Sequence, residues 1–485
     1  MSAVGSILTN QGALSALQSI SNTSRTNSSL QSQLSSGLSI NSPADNPAGY
    51  ITAQGFTSQL NGLTQAISNA NQGVSLLQTA QGALQQQIGV VQQLNSIAVQ
   101  AANGTQTPQE AQSLQNVVSQ LTGQVSTIAT QTQFNNINLL NGSFSGVQFQ
   151  VGANEGQTIN LSIGNTGAGA IGLNASTAKF GTTGVFNSAN NASSASGALT
   201  LGTAAAAFTA GALKVTSNSG NTGSATITAS ESAKSIAAAV NLSTGSTGVA
   251  AQATTSITLS LTAGTGGGFQ FALQGSGNSQ TINAQSAAAL ASQINGNTAT
   301  SGITATLNSA GTKVTLTQSQ GNNISITGVS SGSLATGGTT PQVLKTGAAS
   351  GVVQGQVQLQ SSAAFSVGGT ANIGLNNAST LTSLSAINVS TVAGANTAIN
   401  VVKFALQGLN NQGGQLGAVQ QRLQANINNL NTTSQNITNA LGVVQDANIP
   451  QVSNQLTQAQ IQAQAGVAAL KSSTTLQQSF LSLLP

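Results

Sequence analysis

The sequence predicts an α+β chain: a long α-helical coiled-coil rod formed by both chain ends, with β-hairpins and an inserted β-rich outer region. Three observations predict it. Residues 60–102 place Leu60, Leu63, Ile67, Ala70, Val74, Leu77, Leu84, Ile88, Val91, Leu94 and Ala98 at steps of three and four, with one step skipped at Gln81. Far away, Val452, Leu456, Ala459, Ala463, Gly466 and Leu470 repeat those steps. Between the two, from about 175 to 390, the text is Ser, Thr, Gly and Ala with short runs of period two. Two ends that both want helical partners most simply pair with each other and carry the middle as an insertion. Any apolar stripe left uncovered needs another copy.

Taken in order, residues 4–38 read as a first helix with Val4, Ile7, Leu14, Leu17, Leu30, Leu34 and Leu38 on one stripe and Leu8, Ala13 and Ile20 off it. The run NSPADNPAG (41–49) makes a turn, and Pro47 suits the first turn of the next helix. That helix is expected from about 48 to 102, where Asn103-Gly104 ends it. A third begins near Pro108, with Leu114, Val117, Leu121, Val125 and Ile128 as its apolar stripe. Residues 144–151 and 158–163 then alternate in period two after the turn signal Asn141-Gly142, which reads as one or two hairpins against the helices.

The middle offers the strands SATITAS, TSITLSL, KVTLTQ and ANIGL, and an internal repeat with a period of about 54 residues. SAKSIAAAVN (232–241) matches AAALASQIN (287–295), and Gly248-Val249 matches Gly302-Ile303. Two similar α+β lobes are expected, at about 215–265 and 270–320. Helical periodicity returns near 395 with Val402, Leu406, Leu409, Leu416, Val419, Leu423, Ile427, Leu430, Ile437, Leu441 and Val444. Asn448 to Pro450 breaks it before the last helix, whose Ile461, Val467 and Leu484 lie off the seam. The closing Leu476, Phe480, Leu481 and Leu484 need a cover.

Composition narrows the chemistry. Only nine basic and five acidic side chains occur in 485 residues, against roughly 25% charged in an ordinary soluble protein. Nine cations spread so thinly form no patch, so no nucleic acid is expected as a partner. With no His and few carboxylates, the surface charge hardly changes between about pH 2 and 9. Two readings stay open: an acidic or strongly varying exterior, or compositional drift. The absence of His excludes an imidazole base, a Ser-His triad and an HExxH zinc motif. The absence of Cys excludes disulfides and thiolate sites. AGTGGGF (263–269) lacks the GK[ST] of a phosphate loop. No enzyme, cofactor or metal is expected, and Asp45 and Asp446, both at helix breaks, read as turn or cap residues. Arg25, Lys403, Arg422 and Lys471 are interface anchors or solvated positions. The start has neither the basic nor the apolar region of a secretory signal, and no run is long enough for membrane insertion.

Several segments, in order, resemble bacterial flagellin: LSSGLSINSPADNPAG (34–49), NANQGVSLLQTAQGAL (69–84), IAVQAANGT (97–105), TQFNNINLLNG (132–142), VQFQVGANEGQTI (147–159) and VVQDANIPQVSNQLTQAQIQAQAGVAALKSS (443–473). The resemblance covers roughly 1–175 and 390–485. It implies a structural subunit that leaves the cell through the flagellar export channel and assembles with copies of itself into an extracellular filament. Its implied partners are an export chaperone, the filament cap and hook-associated proteins. A hook–filament junction protein and a secreted adhesin are the alternatives.

On this reading 1–45 and 449–485 line an inner tube, 46–175 and 392–448 an outer tube, and 176–391 projects. The expected assembly residues are Ile7, Leu8, Leu14, Leu17, Ile20, Leu34, Leu456, Ile461, Val467, Leu470, Phe480, Leu481 and Leu484. The departures from the family pattern remove charge: Gln33 and Ser39 stand where Arg is usual, and Val443 to Asn448 replaces Arg-Ile-Glu-Asp-Ala-Asp. Gln for Glu and Asn for Asp keep shape and hydrogen bonding. The family's innate-immune epitope maps onto the long helix, where Gln93 replaces the usual Arg a turn before Ile97.

Overall fold

Asn10 begins the described chain and caps its first helix, its Oδ1 accepting the N–H of Ala13 at 2.9 Å. The computed structural model describes residues 10–178, 211–228, 231–263, 268–336, 343–344, 350–369 and 378–481. Helix α1 (Gln11–Ser36) ends where Gly37 turns left-handed at φ +75° and donates its N–H to Gln33. Helix α2 (Pro47–Ala101) starts on the expected proline. One row of its buried positions, Leu63, Ala66, Ala70, Gly73, Leu77, Ala80, Leu84, Gln87, Val91, Leu94, Ala98 and Ala101, is an unbroken three-four alternation; Ala53, Leu76 and Val90 are buried too, and the expected Leu60, Ile67, Val74 and Ile88 are half-buried. The step skipped by the large apolar residues is filled by Ala80.

Helix α3 (Pro108–Gln131) opens on a capping box between Thr107 and Glu110. Its stripe differs by one residue from the expected one: Val118, Thr122, Val125 and Ala129 are buried, and Val117 is exposed. Large apolar residues marked the neighbouring row, whereas the buried row includes the small Thr122 and Ala129.

Strands β1 (Gln133–Phe134) and β2 (Ile137–Asn138) form a hairpin missing from the sequence reading. Asn135 and Asn136 both have positive φ, as a two-residue hairpin turn of primed type requires. The expected hairpin follows as β3 (Val147–Gln150) and β4 (Thr158–Leu161), antiparallel with Phe149 opposite Ile159. Next come β5 (Gly172–Ala178), β6 (Gly211–Ser217), β7 (Thr222–Ile227), α4 (Ala233–Asn241), α5 (Thr244–Thr247) and β8 (Ala250–Thr262). The repeat adds β9 (Phe269–Gln274), β10 (Gln280–Ala284), α6 (Ala287–Gly296), α7 (Thr298–Ser301), β11 (Ile303–Leu307), β12 (Lys313–Gln318) and β13 (Ile324–Ser331). Then follow β14 (Ser333–Thr336), β15 (Val343–Leu344), β16 (Ser350–Val353), β17 (Gln356–Ser361), β18 (Phe365–Gly369) and β19 (Thr380–Ser383). Helices α8 (Val392–Gln445) and α9 (Ile449–Leu481) close the chain. The expected strand ANIGL lies outside the described residues. Among the described residues no helix is long and apolar enough to cross a membrane.

The two lobes are nested. Strands β9 to β13 with α6 and α7 form one lobe, closed by β12 against β11 and β13 against β9. The other lobe has β6, β7, α4, α5 and β8, and is closed by β17 against β8 and β18 against β6. The β9–β13 lobe is therefore inserted in the other, between β8 and β17. The repeat holds to the atom: the Asn241 amide bridges the backbone of Ala251, and Asn295, 54 positions on, bridges Ala305 in the same way, each accepting an N–H at 2.7 Å. Each lobe has its own core, one around Ile236, Val249 and Leu359, the other around Leu273, Ile294 and Leu316.

The chain divides into two compact units. One holds described residues up to 78, 146–162 and from 417 on; the other holds 79–145 and 163–416.

Candidate assembly interface

The terminal helices pack antiparallel. Near their open end the Asn10 side chain donates to the Ser473 carbonyl at 3.3 Å and accepts from the Ser473 hydroxyl at 3.1 Å. Near the other end Leu30, Val452 and Ala459 form a small buried cluster with Ala447 and Leu456 against it. Beyond that cluster the turn after α1 is tied to the α8–α9 junction. Ser39 donates its N–H to Gln445 at 2.7 Å, Ala447 donates to Gly37 at 2.9 Å, and Leu38 bridges Asp446.

Along α9 the inner face is Val452, Leu456, Ala459, Ala463, Gly466, Leu470 and Ser473, which is the expected seam extended by one step. Along α1 the expectation is inverted. The inner face is Ala13, Ala16, Ile20, Thr23, Asn27 and Leu30, whereas Leu14 and Leu17 are 63% and 55% exposed and Leu34 is also exposed. The reason is distance. A Cβ placed on Gly466 would stand 2.9 Å from Ile20 Cγ1, so the helices meet on small residues. At that step there is no room for a larger side chain, and Leu14 and Leu17 lie outside the contact, whereas Leu30, Leu456 and Leu470 enter it elsewhere. On α9, Ile461 and Val467 are likewise 61% and 56% exposed, and Leu476 is exposed. Ile20, Leu456 and Leu470 belong to the inner seam. Ile7, Leu8 and Leu484 lie outside the described residues, as do the side chains of Phe480 and Leu481.

The turn residues sit in defined networks. Asp45 accepts the N–H groups of Ser42 at 2.8 Å and Asn41 at 3.0 Å, and the Ser42 hydroxyl at 3.0 Å. These bonds, the Ser42 N–H first, hold its carboxyl below the usual carboxylate value. Asp446 lies at the end of α8, its N–H donated to Gly442. On α2, Gln93 is exposed and Ile97 half-buried. Arg422 borders a groove lined by Val151, Gly156, Ile159, Asn426 and Leu430.

Two residues escaped the sequence reading. Gln87 is fully buried and donates to the carbonyls of Val125 at 3.0 Å and Thr166 at 3.3 Å. Asn27 lies on the inner face of α1 with its Oδ1 buried and without a hydrogen-bond partner. Both occupy heptad steps where apolar residues were sought, so only the spacing of their neighbours marks them.

The family profile described as bacterial flagellin N-terminal helical region matches residues 7–145, and that for the bacterial flagellin C-terminal helical region matches 399–484. The chain is 37% identical over 480 residues to a B-type flagellin of Pseudomonas aeruginosa, covering 94% of this chain and 95% of that one. A flagellin of Xenorhabdus nematophila is 39% identical over 167 residues, 34% of this chain and 53% of its own length. The solved structure of FliC from Burkholderia pseudomallei shares 19% identity with a TM-score of 0.30, covering 72% of this chain and 99% of that one. Profiles that fall on the two helical ends, and a relative matched along nearly the whole length, place the chain in the bacterial flagellin family.

Proposed function

We propose that this chain is the repeating subunit of a bacterial flagellar filament and that the outward faces of α1 and α9 are its assembly surface. One observation carries the reading: the terminal pair turns its small residues inward and leaves Leu14, Leu17, Ile461 and Val467 exposed. Each such side chain gains roughly 1.5–3 kcal/mol when a neighbour covers it fully. A contact of this kind that repeats head to tail without closing generates an open helical polymer. Residues 1–45 and 449–485 then line the inner tube, 46–175 and 392–448 the outer tube, and 176–391 projects outward. The subunit acts as a structural protein outside the cell, reached through flagellar export. Its partners there are its own copies, the cap and hook-associated proteins, with a chaperone before export.

The test is the double variant Leu14→Asp and Leu17→Asp. Both positions are exposed, so the single chain should keep its helix content and its two lobe cores. Sedimentable filaments should be lost. Filaments of normal yield from that variant would refute the assignment of this face.

A further inference from the structure

We propose that polymerisation through α1 and α9 is insensitive to acidity and to ionic strength. The inference rests on the assembly reading above and adds what controls, and what does not control, that contact.

The described stretches 10–36 and 449–481 carry one charged side chain each, Arg25 and Lys471, and no carboxylate. The elements joined to them add Lys403 and Arg422 on α8, which stay charged between about pH 3 and 9, and two carboxylates. Asp45 lies in the turn after α1, its carboxylate occupied by Ser42 and Asn41. Asp446 lies at the α8–α9 junction. The chain has neither His nor Cys, so no side chain of these described stretches belongs to a type that titrates near neutral pH.

An association constant varies with pH only through protons taken up or released on binding. One linked proton per contact shifts it about tenfold per pH unit; none leaves it flat. Screening likewise acts on charge pairs, and two lone cations give it almost nothing to screen. What holds the terminal pair in register is uncharged: the close step of Ile20 on Gly466 and the Asn10–Ser473 hydrogen bonds. Over the whole chain, full protonation of the five carboxylates takes the formal charge from +4 only to that of its nine cations. Such a filament suits an exterior whose acidity swings.

The experiment uses the purified full chain, polymerised at about pH 7 and diluted to about pH 3, 5 and 9, in about 0.05 M and 0.5 M NaCl. Sedimentation gives the critical concentration. It should stay within about twofold throughout, because neither terminal helix carries a side chain that exchanges a proton over this range. Polymer that forms at neutral pH and dissolves at acidic pH, with a tenfold rise or more, overturns this inference and leaves the filament reading standing. No polymer at neutral pH overturns both. The variant with Gln18→Glu and Gln462→Glu places carboxylates beside Leu17 and Ile461 on the exposed faces. Burial raises their pKa, so its critical concentration should be high at neutral pH and fall several-fold towards about pH 3. A flat profile for that variant would mean these faces are not the contact, and would also overturn the proposal.

Discussion

Asp45 contributes through three hydrogen bonds rather than through an ion pair. Its folded-state pKa is depressed, so its stabilisation is present above the ordinary carboxylate value and is lost as pH falls through the depressed one. The carboxylate is almost fully solvated, so the effect is small. Asp45→Asn should lower stability by less than about 1 kcal/mol at neutral pH. Thermal unfolding of both proteins should show the gap narrowing as pH falls below the ordinary carboxylate range towards the depressed value. A gap that does not change with pH would mean that shape, not charge, holds the turn. The turn itself was legible, because Pro, Asp and Gly mark turns by backbone chemistry that needs no partner. Gln87 and Asn27 were not legible, because a polar residue at a core step is defined only by the carbonyls or voids brought to it by other segments.

Among the elements, legibility followed how far one helix determines its own burial. Helix α2 is packed at every heptad step from Leu63 to Ala101, and Leu63, Ala70, Leu77, Leu84, Val91, Leu94 and Ala98 were read directly, while Ala66, Gly73 and Gln87 hold steps assigned to their apolar neighbours Ile67, Val74 and Ile88. Helices α1 and α3 present two adjacent apolar rows, and size favoured the wrong one in each. Leu14 and Leu17 outweigh Ala13 and Ala16 in hydrophobicity, but the close approach at Gly466 selects the small row. The repeat was legible in the sequence, whereas its nesting was not, since strand pairing between β8 and β17 is set across about a hundred intervening residues. Nesting makes a prediction. In the inner lobe β11 and β12 are joined by residues 308–313, with Leu307 opposite Val314. In the outer lobe Thr254 pairs with Gln356 at the corresponding edge. Replacing residues 255–355 by the six residues 308–313 should therefore close the outer lobe around Leu213, Ile236, Val249, Val357 and Leu359. Hydrogen exchange should report protected amides in β6, β7, β8 and β17. Loss of that protection would show that the outer lobe depends on its insertion.

For the whole molecule, the question is whether the roles proposed for residues 176–391 and for the terminal helices are separable. The segments that flank the insertion bear on it. Strand β5 enters the insertion and β19 leaves it, and the two pair antiparallel with Ala175 opposite Thr380 and Gly172 opposite Ser383. Below that ladder, Leu384 donates its N–H to Ile171 at 2.9 Å and Ser385 donates to Ala168 at 3.0 Å. The Gln115 side chain fastens the returning segment to α3, donating to Ile387 at 3.3 Å and accepting from Val389 at 2.7 Å. The insertion thus begins and ends at a closed hydrogen-bonded gate, and its two lobes keep separate cores. Replacing residues 176–379 by Asn-Gly joins Ala175 to Thr380 through a two-residue hairpin turn suited to such a pair. It shortens the loop to be closed, which lowers the entropic cost of pairing β5 with β19 by a few kcal/mol at most. The variant loses the ladder between β5 and β17, leaving one edge of β5 open. That edge is four residues long after truncation, a length that natural sheets tolerate. Electron microscopy of the assembled variant should show filaments that are thinner than wild type, with the same helical repeat, since no residue of α1 or α9 is altered. Filaments that fail to form, while circular dichroism reports intact helices, would place part of the assembly surface in the projecting region and refute the separation of roles.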